Sequence, residues 1–216
     1  MPNTNSRNLR SLRWASWLGI AVLMLATSWT FVRRHFEVHA DPQTKIEGAA
    51  QIVSKFSLVD QSGKRVTEAS FAGRWQLIYF GYTNCPDVCP TTLAYLSSVL
   101  DDLGTNADRV APIFITVDPK RDTPAVMAAY VAAFSPRLVG LTGGENEITK
   151  VEHSFRVYSQ RSNDPGSNVG YEMAHSSFIY LMTPKGDFDA IFLEARQTAR
   201  EMSQEVLMRI KRNNKS

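Results

Sequence analysis

Cysteine is scarce in this chain, with two residues among 216. That number excludes a disulfide framework of the kind that staples small secreted domains. Charge is modest too, at 21% of residues, and its sign is unevenly spread. Residues 1–34 hold no acid and five arginines, Arg7, Arg10, Arg13, Arg33 and Arg34. Removing those five from the 24 basic residues leaves 19 against 21 acids, a net of −2 for the remainder. The formal +3 of the whole chain is therefore an N-terminal feature, and a nucleic-acid-binding face is not expected. No internal repeat and no compositional break mark a second folded domain. At 44% hydrophobic residues, the chain reads as an ordinary globular domain with an appendage.

The appendage is the uncharged run of 19 residues from Trp14 to Val32. It has no polar face, and its length is close to the roughly 20 residues a bilayer-crossing helix needs. Trp14, Trp17 and Trp29 lie near its ends, where interfacial anchors belong. Three arginines precede it, and Glu37 and Asp41 soon follow Arg33 and Arg34. This charge bias places residues 1–13 in the cytoplasm, 14–32 across the membrane, and the rest outside. Residues 33–50 read as a tether, and 51–216 as the folded domain. Small residues at Val38-His39-Ala40 offer a cleavage site, but the apolar run is long for a signal peptide. An uncleaved anchor in a bacterial inner membrane, with the domain in the periplasm, is the reading adopted. The alternative is a mitochondrial inner membrane, with the domain facing the intermembrane space.

Beyond the tether, strand-like and helix-like patterns alternate. Phe56–Val59 and Arg65–Thr67 flank a turn signal at 60–63. Trp75–Tyr82 and Val110–Val117 are apolar and rich in β-branched or aromatic residues, as buried strands are. Between them, Leu93, Leu96, Leu100 and Leu103 form one helical stripe that Gly104 ends. Thr123-Pro124 opens a second helix, with threonine at the N-cap and proline at the first helical position. A third helix is expected over 145–155, and a hairpin over 177–193 with its turn at 183–187. A terminal amphipathic helix spans 198–211. Strand–helix–strand units followed by a hairpin predict an α/β fold with helices on both sheet faces.

The two cysteines are close neighbours, in the segment Cys85-Pro86-Asp87-Val88-Cys89-Pro90. This segment lies between a buried strand and a helix. Both thiols are therefore expected at a helix N-terminus, where unpaired N–H groups favour thiolate. At i and i+4 on a helical turn they would face the same way. Thiolates select Cu(I), zinc or iron–sulfur iron, and outside the cytoplasm copper is the expected metal. Two cysteines leave a metal site incomplete. Of the four histidines, His35 and His39 fall in the tether and His153 on a helix beside Lys150 and Arg156. His175 precedes a strand next to a polar loop, at the end of a sheet where α/β folds gather ligands. It is the candidate third ligand.

The segment from Gly81 to Pro90 resembles the signature of the Sco/SenC proteins. Val117-Asp118-Pro119-Lys120-Arg121-Asp122-Thr123-Pro124 is similar to that family's acidic loop. Residues 134–143 and His175-Ser176 match further segments in order. The resemblance covers roughly residues 50–212. It implies a thioredoxin-like fold on a membrane anchor. It implies copper, Cu(I) or Cu(II), held by Cys85, Cys89 and His175, taken from an upstream copper donor and delivered to the CuA centre of cytochrome c oxidase subunit II. It also brings Asp118 and Asp122 close to the site, in partner docking or in tuning the ligands. Ala174 departs from the pattern, since many members carry an acid just before the histidine. A rival reading is a thiol–disulfide reductase in which Cys85 and Cys89 form a redox-active disulfide. Three intervening residues, against the usual two, count against general redox work. A thiol peroxidase would want an electropositive setting, which Asp87 disfavours. A structural zinc site would want four protein ligands.

Overall fold

The computed structural model describes residues 23, 24, 27–29, 52, 54–162 and 171–213. Contacts divide the chain into two units, Met1–Ala49 and Ala50–Ser216, and the second carries the fold. The expected cytoplasmic segment, the tether and most of the 14–32 span lie outside the described residues. Among the described residues no helix is long and apolar enough to cross a membrane.

The strands are β1 (Ser57–Asp60), β2 (Arg65–Thr67), β3 (Trp75–Gly81), β4 (Val110–Thr116), β5 (Val139–Thr142), β6 (Ser159–Ser162), β7 (Glu172–His175), β8 (Ile179–Met182) and β9 (Phe188–Phe192). The helices are α1 (Val88–Leu103), α2 (Pro124–Ala132), α3 (Glu145–Phe155) and α4 (Ala199–Asn213). Seven strands form one sheet in the order β2-β1-β5-β4-β3-β8-β9. β3, β4 and β5 run parallel, whereas β8 joins β3 antiparallel and pairs onward with β9. This is the α/β, thioredoxin-like arrangement that the resemblance implied, a βαβ unit merged with a hairpin.

Every residue of β3 and β4 is buried, which explains their continuous apolar runs. Successive side chains of β3 enter opposite layers. Tyr79 packs on Phe114, whose other neighbour is Tyr130 of α2. Phe80 points the other way, onto Phe155 of α3 and Tyr180 of β8. The crossovers β3–α1–β4 and β4–α2–β5 advance in one direction, and α1 and α2 share a face: Cys89 of α1 meets Tyr79, and Tyr130 of α2 meets Phe114, which packs on Tyr79. α4 lies against α1. The leucine stripe of α1 is buried as expected, and Gly104 closes the helix at φ 55°. Thr123 caps α2 by accepting the Val126 N–H, and Pro124 opens the helix.

Candidate metal centre

β3 ends at Gly81, and the chain turns through Tyr82, Thr83 and Asn84 to Cys85, whose N–H donates to the Tyr82 carbonyl (3.3 Å). Pro86 disfavours helical backbone at the residue before it. α1 begins at Val88, after the N-cap Asp87, whose φ of −143° is non-helical. Cys85 thus stands ahead of the helix and Cys89 is its second residue, where the spacing predicted both thiols on one helical turn. They converge by another route. The Cys89 N–H, one of the helix's unpaired N-terminal donors, donates to Cys85 Sγ at 3.4 Å. Cys89 is buried and Cys85 half-buried, and both are free thiols.

His175 arrives on an element the sequence patterns did not reveal. Ser159–Ser162 and Glu172–His175 pair antiparallel as a two-stranded sheet, with Ser159 opposite His175. The His175 Nε2 lies 3.4 Å from Cys89 Sγ. Its Nδ1 lies 3.1 Å from the Ser176 carbonyl, which can only accept, so Nδ1 donates there and Nε2 is the nitrogen turned to the sulfurs. A backbone carbonyl orienting the far nitrogen is the usual support of a ligating imidazole. Edge-on rings of Tyr79 and Tyr82, at 6.2 and 5.9 Å, fix the ring's tilt. The Sγ atoms of Cys85 and Cys89 and a His175 ring nitrogen all lie within 4.8 Å of one another. A depression lined by Tyr82, Cys85, Val88, Met173 and His175 leaves the group reachable from outside.

The two thiols titrate as a pair. The hydrogen bond from Cys89, and then those from His175 and the backbone N–H groups, outweigh burial and pull Cys85 down to about 3. That same bond and burial push Cys89 upward. The reduced pair therefore sheds one proton readily and keeps the second, with Cys85 as thiolate and Cys89 as thiol. A metal taking both sulfurs must displace the remaining proton. Two thiolate sulfurs and a neutral imidazole, half shielded from water, suit a soft ion of the copper type.

Asp118 and Asp122 lie beside the site, but they are only 4% and 0% exposed. Asp122 accepts the Thr83 N–H (3.0 Å), the Thr83 hydroxyl (2.6 Å) and the Thr116 hydroxyl (2.6 Å). Asp118 accepts from Arg121 Nε and from the Tyr171 hydroxyl at 2.8 Å. Their carboxylates are occupied within the chain, an arrangement that favours tuning over docking. The sequence placed Gly81 in the family signature but assigned no role to it or to Tyr79. A Cβ at Gly81 would stand 2.7 Å from Cys89 Sγ, and the Tyr79 hydroxyl lies 3.7 Å from the same sulfur. A glycine closing a buried strand was the available signal. His153 is exposed on α3, as expected, and His35 and His39 fall outside the described residues.

The family model described as SCO1/SenC matches residues 44–211. "Protein sco1" of Schizosaccharomyces pombe is 38% identical over 201 residues, covering 88% of this chain and 76% of its own. Among solved structures, ScoI of Bradyrhizobium japonicum with copper bound is 45% identical, with a TM-score of 0.67 over 73% of this chain and 98% of its own. BsSco, described as a Sco family cytochrome c oxidase assembly protein with a disulfide switch, is 25% identical, with a TM-score of 0.58 over 74% of this chain and 94% of its own.

Proposed function

The chain belongs to the SCO1/SenC family, and from that membership we propose that it holds a copper ion on Cys85, Cys89 and His175 and delivers it to the CuA centre of cytochrome c oxidase subunit II. The observation that carries this reading is the meeting of two cysteine sulfurs and one imidazole nitrogen within 4.8 Å. Three protein donors leave room for one more, and an incoming ligand from a partner can enter there before any of the three lets go. Copper can then pass by ligand exchange without being released to water. The buried Cys89 and the half-buried Cys85 grade the access, so the partner meets Cys85 first. Asp122 supports the loop that carries Cys85, and Asp118 the strand that carries His175. The run from Trp14 to Val32 anchors the chain in a bacterial inner membrane, with the domain in the periplasm. A copper donor upstream loads the site.

The thiol asymmetry supports a second activity, reduction of a disulfide in the same oxidase subunit. The Cys85 thiolate attacks one sulfur of the partner disulfide and breaks its S–S bond, forming a mixed disulfide while the other partner sulfur leaves as thiolate and takes a proton from water. Cys89 then attacks Cys85 and breaks the mixed disulfide, and the second partner sulfur leaves with the Cys89 proton. The products are a Cys85–Cys89 disulfide and two partner thiols, so two electrons pass from this chain to its partner.

The test is titration of the full chain, solubilised and with thiols reduced, with Cu(I) and Cu(II), followed by mixing with a subunit II fragment. Wild type takes up stoichiometric copper and passes it on. Cys85→Ala, Cys89→Ala and His175→Ala each abolish that uptake and keep the fold. Full affinity and an unchanged copper spectrum in His175→Ala would refute the third ligand. Absence of copper uptake together with efficient reduction of a subunit II disulfide would leave the reductase activity as the function.

A further inference from the structure

His175 depends on a hairpin that the main sheet does not hold. Among the described residues, β6 and β7 pair only with each other. A two-stranded hairpin is at best marginally stable alone in water. The position of the imidazole is therefore set by whatever fastens this hairpin to the domain. At the C-terminal end of β7, the Ser176 N–H donates to the Tyr158 carbonyl at 3.0 Å, a bond still within the hairpin. Met173 of β7 and Val157 ahead of β6 pack on the core, and the polar fastening at the N-terminal end is Tyr171, which reaches into a different part of the fold.

Tyr171 is gripped in three ways. Its hydroxyl donates to Asp118 Oδ1 at 2.8 Å. Its carbonyl accepts from Arg121 Nη1 at 3.1 Å. Its ring has the Arg121 guanidinium 3.8 Å and the Arg161 guanidinium 3.7 Å from its centroid. Two cations so near one centroid must occupy opposite faces, so the ring is sandwiched. Arg121 is itself locked, because its Nε donates to the second oxygen of Asp118. The same turn grips the other half of the site, since Asp122 receives the Thr83 N–H and hydroxyl two residues ahead of Cys85. The Asp118 N–H donates to Thr116 Oγ1 (2.8 Å) and the Thr116 hydroxyl donates to Asp122 (2.6 Å), which joins the two grips through one side chain.

We propose that residues 118–122 form a tie that holds the histidine-bearing hairpin and the Cys85 loop in register, and that Tyr171 and Arg121 are positioning residues for His175. Loss of the Tyr171 grip frees the imidazole while leaving the thiols in place. This rests on the copper reading for its metal readout alone.

The experiment uses the full chain with Tyr171→Ala, and with Tyr171→Phe, which keeps the sandwich and loses the hydroxyl. In the metal-free reduced protein, amide relaxation of residues 172–176 is compared with that of α1. Copper affinity is then measured by chelator competition, and the Cu(II) spectrum is recorded beside that of His175→Ala. Tyr171→Ala is expected to mobilise 172–176 and spare α1. It should weaken copper binding about tenfold or more, or 1.4 kcal/mol, and move the spectrum toward that of His175→Ala. Tyr171→Phe should fall between wild type and Tyr171→Ala, and it carries the test if Tyr171→Ala does not fold. Unchanged mobility and affinity in both variants would overturn the tie, and so would loosening of α1 to the same degree. Should wild type bind no copper, the proposed function fails, while the metal-free relaxation still decides on the tie.

Discussion

Replacing Gly81 with alanine isolates the packing that seats Cys89. The new Cβ would stand 2.7 Å from Cys89 Sγ, 2.8 Å from Phe114 Cε2 and 3.3 Å from Tyr79 Cε1. Comfortable contacts run to about 3.5–4.0 Å, so two neighbours must each yield by about 1 Å. All three are buried, and Phe114 is wedged between Tyr79 and Tyr130. Overpacking of this kind costs about 1–3 kcal/mol. Restricting the unfolded chain returns about 0.4–1 kcal/mol, which leaves a net loss of about 1–2 kcal/mol. For a domain of this size that lowers Tm by about 2–8 °C. The diagnostic effect is on the sulfur. Either Cys89 shifts away from His175, or the Tyr79 and Phe114 rings shift and release it. Gly140→Ala is the control, because its Cβ would meet Val131 Cγ1 at 3.0 Å and Met127 Cε at 3.2 Å, neither of which belongs to the site. Both variants are assayed by thermal melting and by Cu(I) competition. Both should lose stability, and Gly81→Ala alone should lose copper affinity. Wild-type affinity in Gly81→Ala, or equal losses in the two, would refute the reasoning.

In the reduced, metal-free protein, iodoacetamide should modify Cys85 at a rate nearly independent of pH between about 5 and 8, because its thiol is pulled down to about 3, and should leave Cys89 intact. Mass mapping reads this, and a rate climbing steadily with pH would contradict it. A depressed folded pKa gives Cys85 a stabilising contribution that is full above the unfolded thiol value of about 8.5 and lost as pH falls toward 3. The urea-midpoint gap between reduced wild type and Cys85→Ser should therefore shrink from pH 8 to pH 5. The raised Cys89 acts in the opposite sense, its contribution being present below about 8.5 and lost as pH rises beyond it. Asp122→Ala strands the buried Thr116 hydroxyl and the Thr83 N–H, and should cost about 2–3 kcal/mol by urea denaturation while weakening copper binding; a cost under about 0.5 kcal/mol would show that the network carries no weight.

Elements with strong local signals were legible before the fold was known. Thr123-Pro124 announced the start of α2, the leucine stripe announced α1, and α3 occupies 145–155 as its periodicity required. Cys85, Cys89 and His175, which the fold brings together, stood out because cysteine and histidine are rare in this chain. What stayed hidden depends on partners distant in sequence. Ser159–Ser162 has no apolar alternation, and it becomes a strand only because residues 172–175 lie beside it. The offset of Cys85 from α1 follows from the non-helical backbone at Asp87, which residue spacing alone does not reveal. The burial of Asp118 and Asp122 could not be read from residue type either, since aspartate in an Asp-Pro turn is ordinarily a surface residue. Three hydroxyl and amide donors converge on Asp122 only when β3 and β4 lie in register, with Gly81 opposite Thr116.

The short link from the histidine hairpin back to the sheet sets a limit on travel. Ile179, the first residue of β8, is pinned opposite Tyr79 at the centre of the domain, and His175 is four residues before it. Fully extended, that leash spans about 14 Å. Cys89 has less freedom still, as part of the first turn of a long helix. A metal held here cannot be carried outward on a swinging arm. If the ion is handed on as proposed, the receiving ligands have to come to the rim of the depression, and the shape of that rim, not the reach of a flexible loop, would select who collects it.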